Sequence, residues 1–468
     1  MRGEKNSLGT RRVPEEAYYG LQTVRAVKNF PISGQKAHPA LVEAIVIIKK
    51  AAALVNHRQG RLGAKKVRAI VKACDEVLRG ALRNQFIVDV FQMGAGTSFH
   101  MNCNEVIANR AAEIMGGNKG EYTLIHPYDH VNLGQSTNDV FPTAMRLSVL
   151  FLLRDHLYPA LKEMEKSLSD KAKEFDTVLK SGRPHLQDAA PIRLGQEFQA
   201  YSQAVRRSRR FLEKAAQSLT QLGIGGSAVG TGLNTLPGYR KEMVRQLAEL
   251  TGLRLRKSPD LREAMQSQQP MAEVSAALRN LSLEMNRIAN DLRLLSSGPK
   301  TGLGEIRLPA VAPGSSVMPG KVNPSLLEMM NMVCYQVLGC DQAVSGAVQA
   351  GQLELNVMMP MIAFNLNFMI QIMGNALKQL KRLCIQGIKA NIEQCQAYAE
   401  KSLGLVTALS PHLGYARAAQ VAKESLARGK TLTEVVLEKG WLDEKRLKDI
   451  LNPKTMTEPG IPGFKREK

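Results

Sequence analysis

Val274-Ser275-Ala276-Ala277-Leu278-Arg279-Asn280-Leu281-Ser282-Leu283-Glu284-Met285-Asn286-Arg287-Ile288-Ala289-Asn290-Asp291-Leu292-Arg293-Leu294-Leu295 is the stretch on which the fold turns. Its apolar positions Val274, Leu278, Leu281, Met285, Ile288, Leu292 and Leu295 alternate spacings of four and three. That pattern draws a narrow seam along one face of a helix, as in a coiled coil. A second seam runs Leu150, Leu153, Leu157, Leu161, Met164 and Leu168, with Phe175 beyond it. A third runs Phe198, Tyr201, Val205, Leu212, Leu219 and Leu222. Three long helices with such stripes predict a mainly all-α chain built on an extended central bundle. Bundles of this kind bury their remaining apolar faces against sister subunits, so a homo-oligomer is expected.

Working outward, the flanks differ from this middle. Residues 1–138 are richer in Gly, Pro and Asn, with helical patches near 40–55 and 64–80. Beyond about residue 394 the predicted helices shorten, with a capping box at Thr431-x-x-Glu434 and a Pro/Gly-rich tail from Asn452-Pro453 to Pro462-Gly463. The parse is an N-terminal domain over 1–138, a long-helix bundle over 139–393 and a small helical domain over 394–468.

Composition narrows the class. With 12 Phe, 10 Tyr and 1 Trp against 20 Met in 468 residues, long packed helices are favoured over a β-sandwich. The first twenty residues hold no apolar run, which predicts no secretory signal and a cytoplasmic protein. Cys74, Cys103, Cys334, Cys340, Cys384 and Cys395 form no CxxC pair, so they read as reduced thiols and not as a zinc site. Leu355 to Leu377 carries no charge and is long enough to span a bilayer. Its amide row Asn367, Gln371, Asn375 favours a helix packed inside a protein, so no membrane partner is expected. The net charge of +21 is spread along the chain, densest at Arg206-Arg207 and Arg209-Arg210, with no aromatic–basic interleaving. That argues against nucleic acid and for attraction of small anions.

Four polar segments interrupt the helices. Gly94-Ala95-Gly96-Thr97-Ser98 is a glycine turn exposing hydroxyls and N–H groups. Gln135-Ser136-Thr137-Asn138-Asp139, followed by Pro142, is a helix-start signal fronted by hydroxyls, the setting in which helices bind anions. Either segment alone also fits a plain cap. Ser181-Gly182-Arg183-Pro184-His185-Leu186-Gln187-Asp188 leads into a long helix and carries one of eight histidines in a polar loop. Gly314-Ser315-Ser316-Val317-Met318-Pro319-Gly320-Lys321-Val322-Asn323-Pro324 joins a Gly-Ser-Ser hinge to a cation and an amide, which suits a mobile lid closing on an anion. Gly223-Ile224-Gly225-Gly226-Ser227-Ala228 resembles a dinucleotide fingerprint, but the helix predicted before it denies it the strand such a site needs.

Together the four segments resemble the aspartase/fumarase superfamily, whose signature is the GSSxMPxKxNP loop, and the similarity runs over essentially the whole chain. It is closest to the aspartases at Gly9-Thr10 to Tyr19-Gly20, Asn290-Asp291-Leu292-Arg293-Leu294, Ala350-Gly351-Gln352 and Leu451-Asn452-Pro453. Fumarases usually carry a Trp where Leu294 stands. The resemblance implies a lyase that eliminates ammonia from L-aspartate to give fumarate through an aci-carboxylate. The alternatives are a fumarate hydratase, another fumarate-forming lyase, or a catalytically weak tetramer. It implies Ser316 as base, Thr97, Ser136 and Thr137 on the β-carboxylate, and Lys321 with Asn323 on the α-carboxylate. Asn138 and His185 would lie near the amino group, with Glu328 as the partner of His185. No cofactor and no metal are implied, and each site would be shared by three subunits of a homotetramer. The chain departs from the pattern at Pro184, where the family has Thr, at His100, where it has Asn, and at Met359, where aspartases often have Glu.

Overall fold

The computed structural model describes residues 1–452 and 454–464, so Pro453 of the Leu451-Asn452-Pro453 stretch lies outside the described residues. Among the described residues there are seventeen α-helices and eight short strands, and the strands pair only two by two. The expectation of a mainly all-α chain holds.

The seam that opened the sequence reading becomes a helix of 27 residues, Gln269–Leu295. All seven of its stripe positions are buried, from Val274 to Leu295. The second seam is buried throughout, but its helix changes winding. Thr137–Leu152 is α-helical, Leu153–Leu157 is a π-helical turn, and Tyr158–Glu174 is α-helical again. A stripe spaced by three and four cannot report such a turn, since the same side chains stay on the buried face. The third seam outruns its helix. Leu194–Ala215 ends before Leu219 and Leu222, which are buried from a 3₁₀ turn and a two-residue strand.

The apolar stretch around 355–377 becomes the helix Met359–Leu383, and no described helix is long and apolar enough to cross a membrane. Its amide row is only partly interior. Asn367 is buried, whereas Gln371 and Asn375 are exposed. At 3.6 residues per turn, each step of four walks about 40° around the helix, so the row drifts out of the core.

Two compact units divide the chain. One comprises Met1–Pro159, Ser208–Leu283 and Val333–Asn375; the other comprises Ala160–Arg207, Glu284–Met332 and Ala376–Lys468. In the first, the helix Pro39–Arg58 is wrapped by Ala64–Leu78, Thr97–Ile114, Thr137–Leu152 and Tyr239–Thr251. Pro39 opens it with a pre-set φ, and the His38 ring accepts the Ala40 N–H. In the second, Leu179–Ser181 and Pro191–Arg193 form an antiparallel pair. Leu405, Leu409, Val421, Val435, Val436, Leu447 and Ile450 close a small core of their own there. The capping box at Thr431 and Glu434 forms as expected. All six cysteines are free and buried. In the arginine-rich run, Arg206 pairs with Glu165, Arg207 with Glu284 and Arg209 with Glu213, so the densest basic stretch is largely neutralised.

Candidate active site

In the first unit the site is assembled from two helix starts. Gly94–Gly96 makes a 3₁₀ turn, and Gly96, at φ 85°, leads into the helix Thr97–Ile114. A Cβ at Gly96 would fall 2.2 Å from the Phe141 ring, so only glycine lets the two helix starts approach. Thr97 is therefore the first residue of its helix and half-buried. Thr137 opens the second helix, with Ser136 as its N-cap and a full capping box between Ser136 and Asp139. Pro142 lies in the second turn of that helix and not in the first, so the helix start is set by the cap alone.

The two starts are joined by His100, whose Nδ1 lies 2.6 Å from Thr137 Oγ1. His100 Nε2 in turn lies 2.5 Å from Lys49 Nζ, which also donates to Asn132 Oδ1 and Gln135 Oε1 at 2.9 Å each. Lys49 and His100 are both buried. Burial pushes the Lys49 ammonium down to about 7, and burial with the Lys49 charge holds His100 well below its ordinary value. Sequence reading passed over Lys49. The signal was present, because a lysine between Ile48 and Ala51–Ala53 on a helix apolar on nearly every side has no short route to water.

Asn138 and the glycine-rich loop complete this half. The Asn138 amide donates to Ala228 O at 2.8 Å. Asp139, wholly buried and with its pKa pushed up to about 6 by burial, accepts the N–H groups of Ser136, Gly225 and Ser227. The Gly223–Ala228 segment does follow a strand, the two-residue Gln221–Leu222, which the sequence reading did not expect. No helix opens on its glycines, the next beginning at Tyr239, and its N–H groups are turned on a carboxylate of the chain itself.

The second unit holds the remaining candidates. The base of the hairpin carrying His185 is fixed by a buried ion network: Lys180 pairs with Glu197 at 2.9 Å and Glu305 at 3.1 Å, and Arg183 with Glu305 at 2.7 Å. Above it, Pro184 starts a 3₁₀ turn that places His185 and Leu186 in the left-handed region, at φ 58° and 59°. His185 is exposed. Non-glycine residues held in this region cost of order 1 kcal/mol or more, and such strain gathers at functional sites.

The loop Gly314–Pro324 precedes the helix Ser325–Gln349. Its neck is closed by Gly314 N–H donating to Lys321 O at 2.8 Å and by the Asn323 amide donating to Gly314 O at 2.5 Å. One of the two Asn323 amide hydrogens is thus engaged in the loop itself. Ser315 Oγ accepts the N–H groups of Val317 and Met318, which folds the tip into a turn. Ser316 and Lys321 are exposed. Glu328 lies in the first turn of the following helix, half-buried. Among the described residues no hydrogen bond or ion pair joins it to His185, and no group of three or more His, Cys, Asp and Glu could hold a metal ion.

This arrangement offers hydroxyls and helix N-termini to an anion in one unit and a cation, a histidine and a loop serine in the other. Known proteins are similar to the chain over its full length. The family described as Lyase matches residues 9–339, and that described as Fumarase C C-terminus matches 405–458. The aspartate ammonia-lyase of Bacillus subtilis is 49% identical over 99% of this chain and 97% of its own. That of Pseudomonas aeruginosa is 46% identical over 98% and 97%. Among solved structures, a fumarate lyase:delta crystallin from Brucella melitensis superposes with TM-score 0.94 at 47% identity, covering 98% of this chain and 100% of that one. A class II fumarase from Schistosoma mansoni gives 0.95 at 37% identity, covering 97% and 99%. On likeness of this extent in sequence and fold, the chain belongs to the aspartase/fumarase superfamily and is a lyase.

Proposed function

We propose that the enzyme eliminates ammonia from L-aspartate to give fumarate, reversibly. The observation that carries the substrate is the whole-length likeness to proteins named aspartate ammonia-lyase, at 43–49% identity. The geometry supports the chemistry. Elimination requires removal of a weakly acidic proton from the carbon beside the β-carboxylate, so negative charge gathers on that carboxylate as the doubly charged aci form. Donors already aimed at it contribute on the order of 3 kcal/mol each. Thr97, Ser136 and Thr137 supply such donors at two helix N-termini, and Lys321 with Asn323 hold the α-carboxylate.

Ser316 takes the proton from the carbon. The electron pair of that C–H bond moves into the carboxylate, then returns to form the double bond as the C–N bond breaks and the amine leaves with its electron pair. Asn138 and His185 lie by the departing amine, with Glu328 steadying His185. A serine is a poor base unless its alkoxide is stabilised, and closure of the loop over Lys321 with water shut out supplies that stabilisation. The residues come from segments far apart in sequence, and we assign the complete site to three subunits of a homotetramer acting in the cytoplasm.

The test is the ultraviolet appearance of fumarate when purified enzyme meets L-aspartate or L-malate. Aspartate is expected to react faster. A clear preference for malate would move the assignment to a fumarate hydratase, the second reading, which the likeness to the Schistosoma fumarase fold favours.

A further inference from the structure

Lys49 is 0% exposed and sits in a ring of three acceptors. Two of them cannot turn away. The Asn132 amide donates to Gln135 O at 3.1 Å, and the Gln135 amide donates to Val131 O and Leu133 O at 3.1 and 3.3 Å. Both side-chain oxygens are thereby held toward Lys49. An ammonium has three hydrogens and no lone pair. While Lys49 is charged, His100 Nε2 must accept its third hydrogen, and the neutral imidazole carries its own hydrogen on Nδ1. That N–H donates to Thr137 Oγ1. A hydroxyl that accepts in this way keeps its single hydrogen for another partner.

We propose that Lys49 and His100 are positioning residues that lock Thr137 as a hydrogen-bond donor to a substrate carboxylate, and that loss of the Lys49 proton reverses this polarity. The proposal rests on the assignment of Thr137 to carboxylate binding. A neutral Lys49 has two hydrogens for the two fixed amide oxygens and a lone pair for His100. Nε2 then bears the imidazole hydrogen, Nδ1 accepts from Thr137, and the threonine oxygen turns lone pairs toward the anion.

The titratable groups facing Lys49 are Cys74 from the helix Ala64–Leu78, His100 and Cys103 from Thr97–Ile114, and Asp139 from Thr137–Leu152. Burial pushes Cys103 up to about 12 and Cys74 well above its ordinary value, so both thiols stay neutral. Tyr239, from Tyr239–Thr251, lies beside Asp139 and keeps its proton because burial raises it. Asp139, pushed up to about 6 by burial, is mostly ionised by pH 6.5, so between pH 6.5 and 8 the main change of charge is that of Lys49, pushed down to about 7. The sign follows: the carboxylate-binding form is full below that value and is lost as pH rises through it.

The experiment is calorimetric binding of succinate, a C4 dicarboxylate without an amine. The unaltered enzyme is expected to lose affinity about tenfold between about pH 6.5 and pH 8. Lys49→Met and His100→Asn are expected to abolish that slope, and circular dichroism checks their folds. If Lys49→Met does not fold, His100→Asn alone carries the test. Thr137→Val is expected to bind succinate at least about tenfold more weakly at the lower pH. A flat profile in the unaltered enzyme overturns the relay, as does an unchanged slope in His100→Asn. If Thr137→Val binds as tightly as the unaltered enzyme, it is the carboxylate assignment itself that falls.

Discussion

The Asp139 carboxylate accepts the backbone N–H of Gly225 at 2.9 Å, while its other oxygen accepts the N–H of Ser136 at 2.9 Å. One buried side chain therefore closes the cap of the Thr137–Leu152 helix and anchors the glycine-rich loop that meets Asn138. Asp139→Ala leaves the N–H groups of Ser136, Gly225 and Ser227 without their acceptor. The expected cost is about 2–4 kcal/mol of stability, from the lost cap and the unpaired donors. Chemical denaturation measures it, and a change under about 0.5 kcal/mol would show that water replaces the carboxylate at no cost.

Ser315 and Ser316 have different surroundings, which sharpens the test of the base. Ser315 Oγ holds the turn through Val317 and Met318, so Ser315→Ala loosens the loop. Ser316 is exposed at the tip, so Ser316→Ala should leave fold and assembly intact and cut kcat by at least about a thousandfold. Ser315→Ala is expected to lower kcat far less and to keep the pH profile. Equal losses in both variants, or a Ser316→Ala enzyme retaining most of its turnover, would sink the serine-base mechanism.

Pro184, where the resemblance to the superfamily implies a Thr, comes immediately before His185 in its left-handed conformation. Pro184→Thr returns a hydroxyl beside the reacting groups. If that hydroxyl bonds a substrate carboxylate, kcat/KM for L-aspartate should rise about 5- to 160-fold, the equivalent of about 1–3 kcal/mol. Steady-state kinetics decides it. An unchanged or lower kcat/KM would mean that the proline turn, and not the missing hydroxyl, is what this hairpin requires.

The sites proposed from separate segments require neighbours, so the active species is expected to have four times the 51.4 kDa mass of the chain. Light scattering coupled to size exclusion, with activity assayed across the peak, checks this. Full activity in a monomer would refute the shared site.

The sequence by itself determined the helices. A seam such as Val274 to Leu295 repeats at the helical period, and burial of that stripe is the same whichever way the helix is pointed. Ser136 as a helix start was equally legible, because a cap acts over three residues of chain, and so was the capping box at Thr431 and Glu434. What only the tertiary structure decided were contacts whose energies depend on distant partners. The end of the third-seam helix at Ala215 is one such case, since Leu219 and Leu222 stay on the period while the backbone leaves it. The π-helical turn at Leu153–Leu157 is another. The largest is Lys49, which meets His100 51 residues later and Gln135 86 residues later. Local pattern reports which face of a helix is apolar, but the state of a buried charge is set by the groups that replace its water, and these are gathered only when the chain has closed around it.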